Sequence, residues 1–228
     1  MVLAGCSDSA PDAGPATGTP TAPVATPTTV DLTAHERAQQ LTALAPPIFD
    51  ATYALQTRGK RPDAKVQMRA KGERFRLDVQ HGRTTAVLFT SHHGVVSCQV
   101  VDVNKGKKQR ACFLVAKKPK ALPALFDPQI QRLFRGTTDR ISRNHNHLTV
   151  TNAKPWKAPK PYGMAECFDV RGPQVDRGTY CYLSDPGPRI GLLAHVKFPS
   201  GSLNLLTVDR SVRPETFKPP VRPTPLPG

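Results

Sequence analysis

Short segments in which apolar and polar residues alternate, separated by turn sequences, constrain the fold of this chain more than any other feature. In residues 75–80, Phe75, Leu77 and Val79 alternate with charged or polar residues. Strict alternation places the two sets of side chains on opposite faces of a strand. The pattern therefore predicts an antiparallel meander with one buried face. Similar segments recur at 51–57, 64–70, 85–90, 95–103, 110–116, 147–151, 165–170, 179–183, 190–198 and 202–209.

Two helical regions interrupt these strands. Thr33 can cap a helix that begins at Ala34 and runs to Leu44, because Glu36 stands at the capping-box position. Residues 121–143 have apolar side chains at roughly helical spacing, which predicts one or two short helices. The order of helix, strands, helical insert and strands predicts an α+β fold.

Four cysteines form two pairs with the same spacing. Cys98 and Cys112 are fourteen residues apart, and so are Cys167 and Cys181; each pair flanks a turn-rich segment between two predicted strands. Four cysteines allow three connectivities, and the local loops favour 98–112 and 167–181. The alternatives are free thiols or a zinc site, although the short Cys-x-x-Cys spacing of zinc sites is absent. Disulfides indicate an oxidising compartment.

The residues Leu3-Ala4-Gly5-Cys6 have the form of the bacterial lipobox, in which a cysteine receives a diacylglyceryl chain. This resemblance to bacterial lipoproteins implies that Cys6 is lipidated and that the protein lies on the extracytoplasmic face of the cell membrane. An export signal needs a basic region and about 7–15 apolar residues before the cleavage site. Only five residues precede Cys6, so we expect a start further upstream or, as the alternative, a protein that is not exported.

The proline-rich ends suggest a division of the chain into four parts. Residues 1–6 are the lipobox and the remnant of a signal peptide. Residues 7–32 are rich in Pro, Thr and Ala, which predicts a disordered tether. Residues 33–217 form the folded domain, and 218–228 are a second Pro-rich tail.

The charge distribution indicates the class of partner. The first 57 residues have a net charge of −4, and the remaining residues have +19. A basic domain attracts polyanions, here an anionic lipid or an anionic wall polymer. We expect no nucleic-acid partner, because the basic residues are scattered and no nucleic-acid-binding motif occurs. We expect a monomer.

The order of elements, with three short motifs, resembles the lipoprotein-carrier group of envelope proteins, which includes the LolA/LolB carriers and the LppX/LprG-type lipoproteins. The motifs are Glu73-Arg74-Phe75-Arg76-Leu77-Asp78, Gly201-Ser202-Leu203-Asn204-Leu205 and Arg213-Pro214-Glu215-Thr216-Phe217. The resemblance implies a strongly curved antiparallel half-barrel with helices on its concave face, and a hydrophobic cavity that binds or carries a lipid. The basic residues Arg69, Lys71, Arg74 and Arg76 would then lie near anionic headgroups.

The same resemblance implies which residues line that cavity. The sheet would contribute Val66, Met68, Phe75, Leu77, Val79, Val87, Phe89 and Val96. The helical insert would contribute Leu122, Leu125, Phe126, Leu133 and Phe134. The alternative is the same fold with a closed interior, which would act as an envelope interaction or sensor module.

The sequence contains no pattern typical of an enzyme. There is no Gly-rich phosphate loop, no GxSxG and no HExxH, and the aspartates are not arranged as an acid–base pair. His145 and His147 could point to one face of a strand, but no carboxylate or cysteine stands nearby to complete a metal site. We therefore expect no catalytic residues, metal or cofactor; an envelope hydrolase with an unrecognised site is the remaining alternative.

Overall fold

The computed structural model describes residues 32–58, 63–72, 74–91, 94–104, 106–116, 137–143, 147–173 and 175–225. These residues form one large sheet and two short helices. Helix α1 spans Ala34–Ala43 and helix α2 spans Thr138–Ser142. The strands are β1 Ile48–Thr57, β2 Ala64–Lys71, β3 Arg74–His81, β4 Thr84–Ser91, β5 Gly94–Asn104, β6 Lys107–Ala116, β7 Thr149–Lys157, β8 Met164–Arg171, β9 Gly178–Leu183, β10 Leu193–Phe198, β11 Gly201–Asp209 and β12 Thr224–Pro225.

The strand order is β12-β6-β5-β4-β3-β2-β1-β11-β10-β9-β8-β7. Strands β1 to β6 form one meander and β7 to β11 a second, and both meanders contain only antiparallel neighbours. The two meanders join where β1 pairs with β11, with Leu55 opposite Leu203. This pairing is the long-range step of the fold, because it brings together residues about 150 positions apart.

The predicted α+β half-barrel is wrong. The described residues form a mainly antiparallel β structure with only two α-helices, of ten and five residues, and a short 3-10 helix. Helix α1 packs against α2, β7 and β9, near one edge of the sheet. The strand segments before and after the predicted helical insert pair edge to edge through β1 and β11, so they form one continuous sheet. Most of the predicted insert, 121–136, lies outside the described residues. The capping box of Thr33 and Glu36 is present as predicted.

The disulfide prediction is confirmed, including the connectivity that the spacing favoured. Cys98 on β5 is bonded to Cys112 directly opposite on β6. Cys167 on β8 is bonded to Cys181 directly opposite on β9. Each bond cross-links two adjacent strands, because each hairpin register brings its two cysteines face to face.

Alternation divides the sheet into two faces. One face, here called the inner face, holds most of the largest apolar cluster, including Tyr53, Leu77, Phe168 and Tyr180. The Cys167–Cys181 disulfide extends this cluster on the opposite face of β8 and β9. Tyr53 is fully buried, and its hydroxyl donates a hydrogen bond of 2.9 Å to the carbonyl oxygen of Leu193. Burial raises the pKa of the Tyr53 hydroxyl, so this donor stays protonated.

The opposite, outer face carries a network of ion pairs over β1 to β3. Arg69 contacts both Asp50 (2.9 Å) and Asp78 (2.6 Å), and Arg76 contacts Asp78 at 2.8 Å. The Arg69 and Asp78 side chains are only 14% and 13% exposed. Charges that are largely withdrawn from water in this way need partners, and here the partners come from neighbouring strands.

The described structure extends beyond residue 217 into the segment 218–228, which the sequence predicts to be a Pro-rich tail. A 3-10 helix, Pro214–Phe217, lies beside β3, and the carbonyl oxygen of Thr216 accepts a hydrogen bond of 2.7 Å from Arg76. The chain then reaches β6, where β12 adds a short parallel pairing opposite Phe113 and Leu114. In the part of the chain that the structure describes, no helix is long and apolar enough to cross a membrane.

We expect each disulfide to stabilise the domain by about 3 kcal/mol, because each closes a loop of about 15 residues. Two double variants test this, Cys98→Ala with Cys112→Ala, and Cys167→Ala with Cys181→Ala, in urea unfolding. The loops are matched in length, so the chain-entropy loss should be equal. The second variant should lose more, because Cys167 and Cys181 lie in the main apolar cluster.

Wild-type protein unfolded with a reductant serves as the control, since it should lose both contributions together. A double variant as stable as the oxidised wild type would show that the corresponding bond does not stabilise the domain.

Candidate functional site

The residues predicted to line one cavity lie on two different faces of the sheet. Val66, Met68, Phe75, Leu77 and Val79 are buried in the inner-face cluster. The register of β3 and β4 places Leu88, and not its neighbours, opposite Leu77.

Val87, Phe89 and Val96 belong to the outer face. Val87 pairs with Asp78, and Phe89 with Arg76, so their side chains point away from Leu77. With the Cys98–Cys112 disulfide they form a second, smaller apolar cluster, and Arg76 lies over the Phe89 ring at 4.8 Å. The inner-face residues and these outer-face residues lie on opposite sides of the sheet, so they do not line a single cavity. A lipid-binding role for any of them stays a prediction.

The remaining predicted site residues cannot be placed. Cys6 and the insert residues Leu122, Leu125, Phe126, Leu133 and Phe134 lie outside the described residues. So does His145. Among the residues that the structure does describe, no cluster of His, Cys, Asp or Glu side chains could hold a metal ion.

A basic cleft lies where β8, β9 and β10 reach one end of the sheet, and β1 ends beside it. Its volume is about 300 Å³, and four of its lining residues are cationic. Arg58, Arg171, Arg177 and Lys197 are all exposed, and none of them forms an ion pair within the described chain. The cleft is therefore a concentration of free positive charge.

One carboxylate, that of Asp169, lines the same cleft. Its Oδ1 atom accepts a hydrogen bond of 2.6 Å from the Thr179 hydroxyl on the adjacent strand. The Asp169 carboxylate offsets only one of the four cations, so the cleft keeps a net positive charge. The arrangement can bind an anion, because exposed guanidinium and ammonium groups can donate charge-assisted hydrogen bonds to phosphate or carboxylate oxygens.

A second cleft, of about 320 Å³, adjoins the first and shares Arg58 and Lys197 with it. A chain of hydrogen bonds lines this second cleft. His195 Nδ1 donates to Asn204 Oδ1 (2.7 Å), Asn204 Nδ2 donates to Ser202 Oγ (3.3 Å), and Ser202 Oγ donates to Gln56 Oε1 (3.5 Å). Ser202 therefore does not donate to His195, as a nucleophile and its base would require.

The His195 ring lies against the Trp156 ring, with the two centroids 4.9 Å apart and an angle of 12° between the planes. Burial lowers the pKa of His195, and the nearby charge of Lys197 lowers it further, against the opposing effect of the hydrogen bonds with Asn204 and Leu203. The ring is therefore neutral at pH 7 and acts as a hydrogen-bond donor and stacking partner.

The sequence pointed to a different set of cations. Arg69 and Arg76, predicted to lie near headgroups, are held by Asp50 and Asp78. Arg58, Arg171, Arg177 and Lys197 were missed, because they are scattered along the chain. The pairing of β8, β9 and β10 brings the last three together, and Arg58 joins them through the pairing of β1 with β11. The available sequence signal was their position along the chain. Arg58 and Arg171 directly follow segments predicted as strands, and Lys197 lies near the end of another.

Comparison with known proteins gives no family for this chain. No protein-family model matches it, and no curated protein matches it. A solved structure of PNGF-II, in space group C2, is similar at 11% identity with a TM-score of 0.35. The match covers 74% of this chain and 29% of that one, so this chain spans less than a third of its length. We draw no conclusion about fold or function from a likeness of this size.

His195 should make the stability of the domain depend on pH. Its pKa is lower in the folded state than its ordinary value of about 6.5, so the unfolded chain binds the proton more readily. Stability should therefore be lost as the pH falls below about 6.5 and through the folded-state pKa. We expect the unfolding free energy of wild type to fall, relative to that of His195→Gln, between pH 7.5 and pH 5.

Trp156 provides an independent measurement, because it is the single tryptophan of the chain and stacks on His195. Protonation of the imidazole should quench its fluorescence, with a midpoint below pH 6.5. The His195→Gln variant controls for the other histidines. An identical fluorescence titration in both proteins would contradict the contact between these two rings.

Proposed function

We propose that this protein is an exported, lipid-anchored binding module that holds an anionic ligand in the basic cleft. The carrying observation is the set of four exposed cations, Arg58, Arg171, Arg177 and Lys197, which line one cleft without ion pairs among the described residues. Elsewhere on the same sheet the partly buried cations Arg69 and Arg76 are paired. Free charge concentrated in one concave surface favours ligand binding over a structural role.

The compartment is part of the proposal and rests on two features. The first is the lipobox-like Leu3-Ala4-Gly5-Cys6, followed by a Pro-rich tether. The second is the pair of disulfides, which are stable in oxidising compartments. On this basis the anchor would be a lipid on Cys6, and the basic domain would stand off the extracytoplasmic face of the membrane.

An interaction module is better supported than a lipid carrier. The carrier function was implied by a resemblance to a half-barrel fold, which the sheet topology contradicts. The clefts described above are polar and cationic, which suits an anionic group better than an acyl chain. An anionic envelope polymer has the required charge.

Binding without catalysis is also part of the proposal. Ser202 and His195 lie in the same cleft, but the hydrogen bonds run from His195 through Asn204 to Ser202 and on to Gln56. That direction leaves the Ser202 hydroxyl without a base to activate it. The charge and hydrogen bonds of the described lining therefore support binding over attack on a substrate.

The test is binding of an anionic polymer, polyphosphate, to Arg171→Gln with Arg177→Gln. Exposed ion pairs contribute about 0.2–1 kcal/mol each. We therefore expect the double variant to bind about tenfold more weakly at low salt, and the wild-type affinity to fall with ionic strength. Calorimetry or fluorescence anisotropy measures both effects.

A charge-matched control is Lys108→Gln with Arg110→Gln. Both residues are exposed on the outer face of β6, five strands away from β1. It should bind nearly as well as wild type. Equal losses in the two double variants would mean that net charge alone drives binding, and that the cleft is not the site.

A further inference from the structure

The two clefts form one groove that runs across the strands. They share Arg58 and Lys197, and one lateral row of paired residues connects them. Along this row, Gln56 lies opposite Ser202, Ser202 opposite Lys197, Lys197 opposite Thr179, and Thr179 opposite Asp169. The row crosses five strands, β1, β11, β10, β9 and β8, and so extends about 19 Å at the usual strand spacing.

Two glycines lie where neighbouring strands approach closely beside this groove. A Cβ atom at Gly201 would overlap the carbonyl oxygen of Gln56, and one at Gly178 would meet the carbonyl oxygen of Lys197 at 2.5 Å. Both glycines line the clefts. A side chain at either position would collide with the backbone of the next strand, so the glycines allow these strands to approach closely.

The cations are distributed along the whole length of the groove. Arg58 lies at the β1 end, Lys197 near the middle on β10, and Arg171 and Arg177 at the β8–β9 end. By strand spacing, the backbones of β1 and β8, at whose ends Arg58 and Arg171 lie, are about 19 Å apart, which is farther than a compact anion extends. A linear chain of anionic groups that lies across the strands can contact all of them.

We infer that the groove binds a linear polyanion along its length. This inference rests on the proposed function and specifies its ligand. The described lining contributes two aromatic rings, Phe198 and His195. The Phe198 side chain is buried, and the His195 ring is stacked on Trp156. Single-stranded nucleic acids depend on exposed rings for base stacking, so the ligand is a polymer without bases, such as an anionic polymer of the cell envelope.

The test measures how affinity depends on ligand length, with triphosphate and polyphosphates of increasing length as probes for the whole protein. Affinity should rise steeply until the chain spans about 19 Å and then level off. Arg58→Gln and Arg171→Gln, at opposite ends, should each weaken long-chain binding by about fivefold. The combined variant should weaken it by about 25-fold.

Triphosphate provides the internal control, because it is too short to reach both ends. Its affinity should respond to one end variant at most. Arg110→Gln, far from the groove, should leave the affinities for both triphosphate and long chains unchanged.

Equal affinities for triphosphate and long chains, with the same response to the variants, would overturn the linear site but keep the anion-binding cleft. Binding of no phosphate probe, or equal losses in Arg110→Gln, would overturn the proposed function itself. Tighter binding of a single-stranded DNA with the same number of phosphates would overturn the choice of a polymer without bases.

Discussion

The rest of the structure depends on the antiparallel pairing of β1 with β11. Each meander is local, with consecutive strands joined by short connections, but this pairing joins residues about 150 positions apart. It is costly in loop-closure entropy, and it is stabilised by the apolar cluster that both meanders share on the inner face. Without this pairing, Arg58 on the first meander would not meet Lys197 on the second.

The consequence of one continuous sheet is that its two faces have separate roles. The inner face holds the largest buried side chains, among them Tyr53, Tyr180 and Tyr182, whose hydroxyls find partners in the backbone or in residues 137 and 138. The outer face holds the charges. Over β1 to β3 these charges neutralise each other through Asp50, Arg69, Asp78 and Arg76. Around the groove the positive charges are not neutralised in this way. The outer face therefore has a region of paired charges over β1 to β3 and a positively charged region at the groove.

Much of the strand content could be predicted from alternation, as at 75–80, which lies within β3, Arg74–His81. Prediction fell short where local chemistry overrides the pattern. Strand β7 extends to Lys157 although it contains Pro155, because it is an edge strand in which a missing N–H is tolerated. The strand expected from residue 190 begins only at Leu193, since Gly191 has φ +79° and approaches the carbonyl oxygen of Leu41 closely.

The candidate site was harder to predict than the fold, for two physical reasons. In β4 both alternating sets are apolar, so the choice between Val87 with Phe89 and Ala86 with Leu88 depends on the register, which becomes evident only from pairs such as Leu77 with Leu88. In addition, one of the cleft cations, Arg58, is brought to the other three only by the non-local pairing of β1 with β11. Sequence proximity favoured Arg69 and Arg76, which the fold uses for ion pairs.

The position of the second disulfide connects stability to the groove. Cys181 lies opposite His195, and Cys167 lies opposite Cys181, so the disulfide belongs to the lateral row next to that of Lys197, Thr179 and Asp169. A covalent link at this place fixes β8 against β9, the two strands between which Thr179 contacts Asp169. Arg171 ends β8, and Arg177 immediately precedes β9. The protein loses less conformational entropy on binding a ligand when its cations are carried by strands already held in register, so the same bond that stabilises the hairpin also pre-organises this end of the groove.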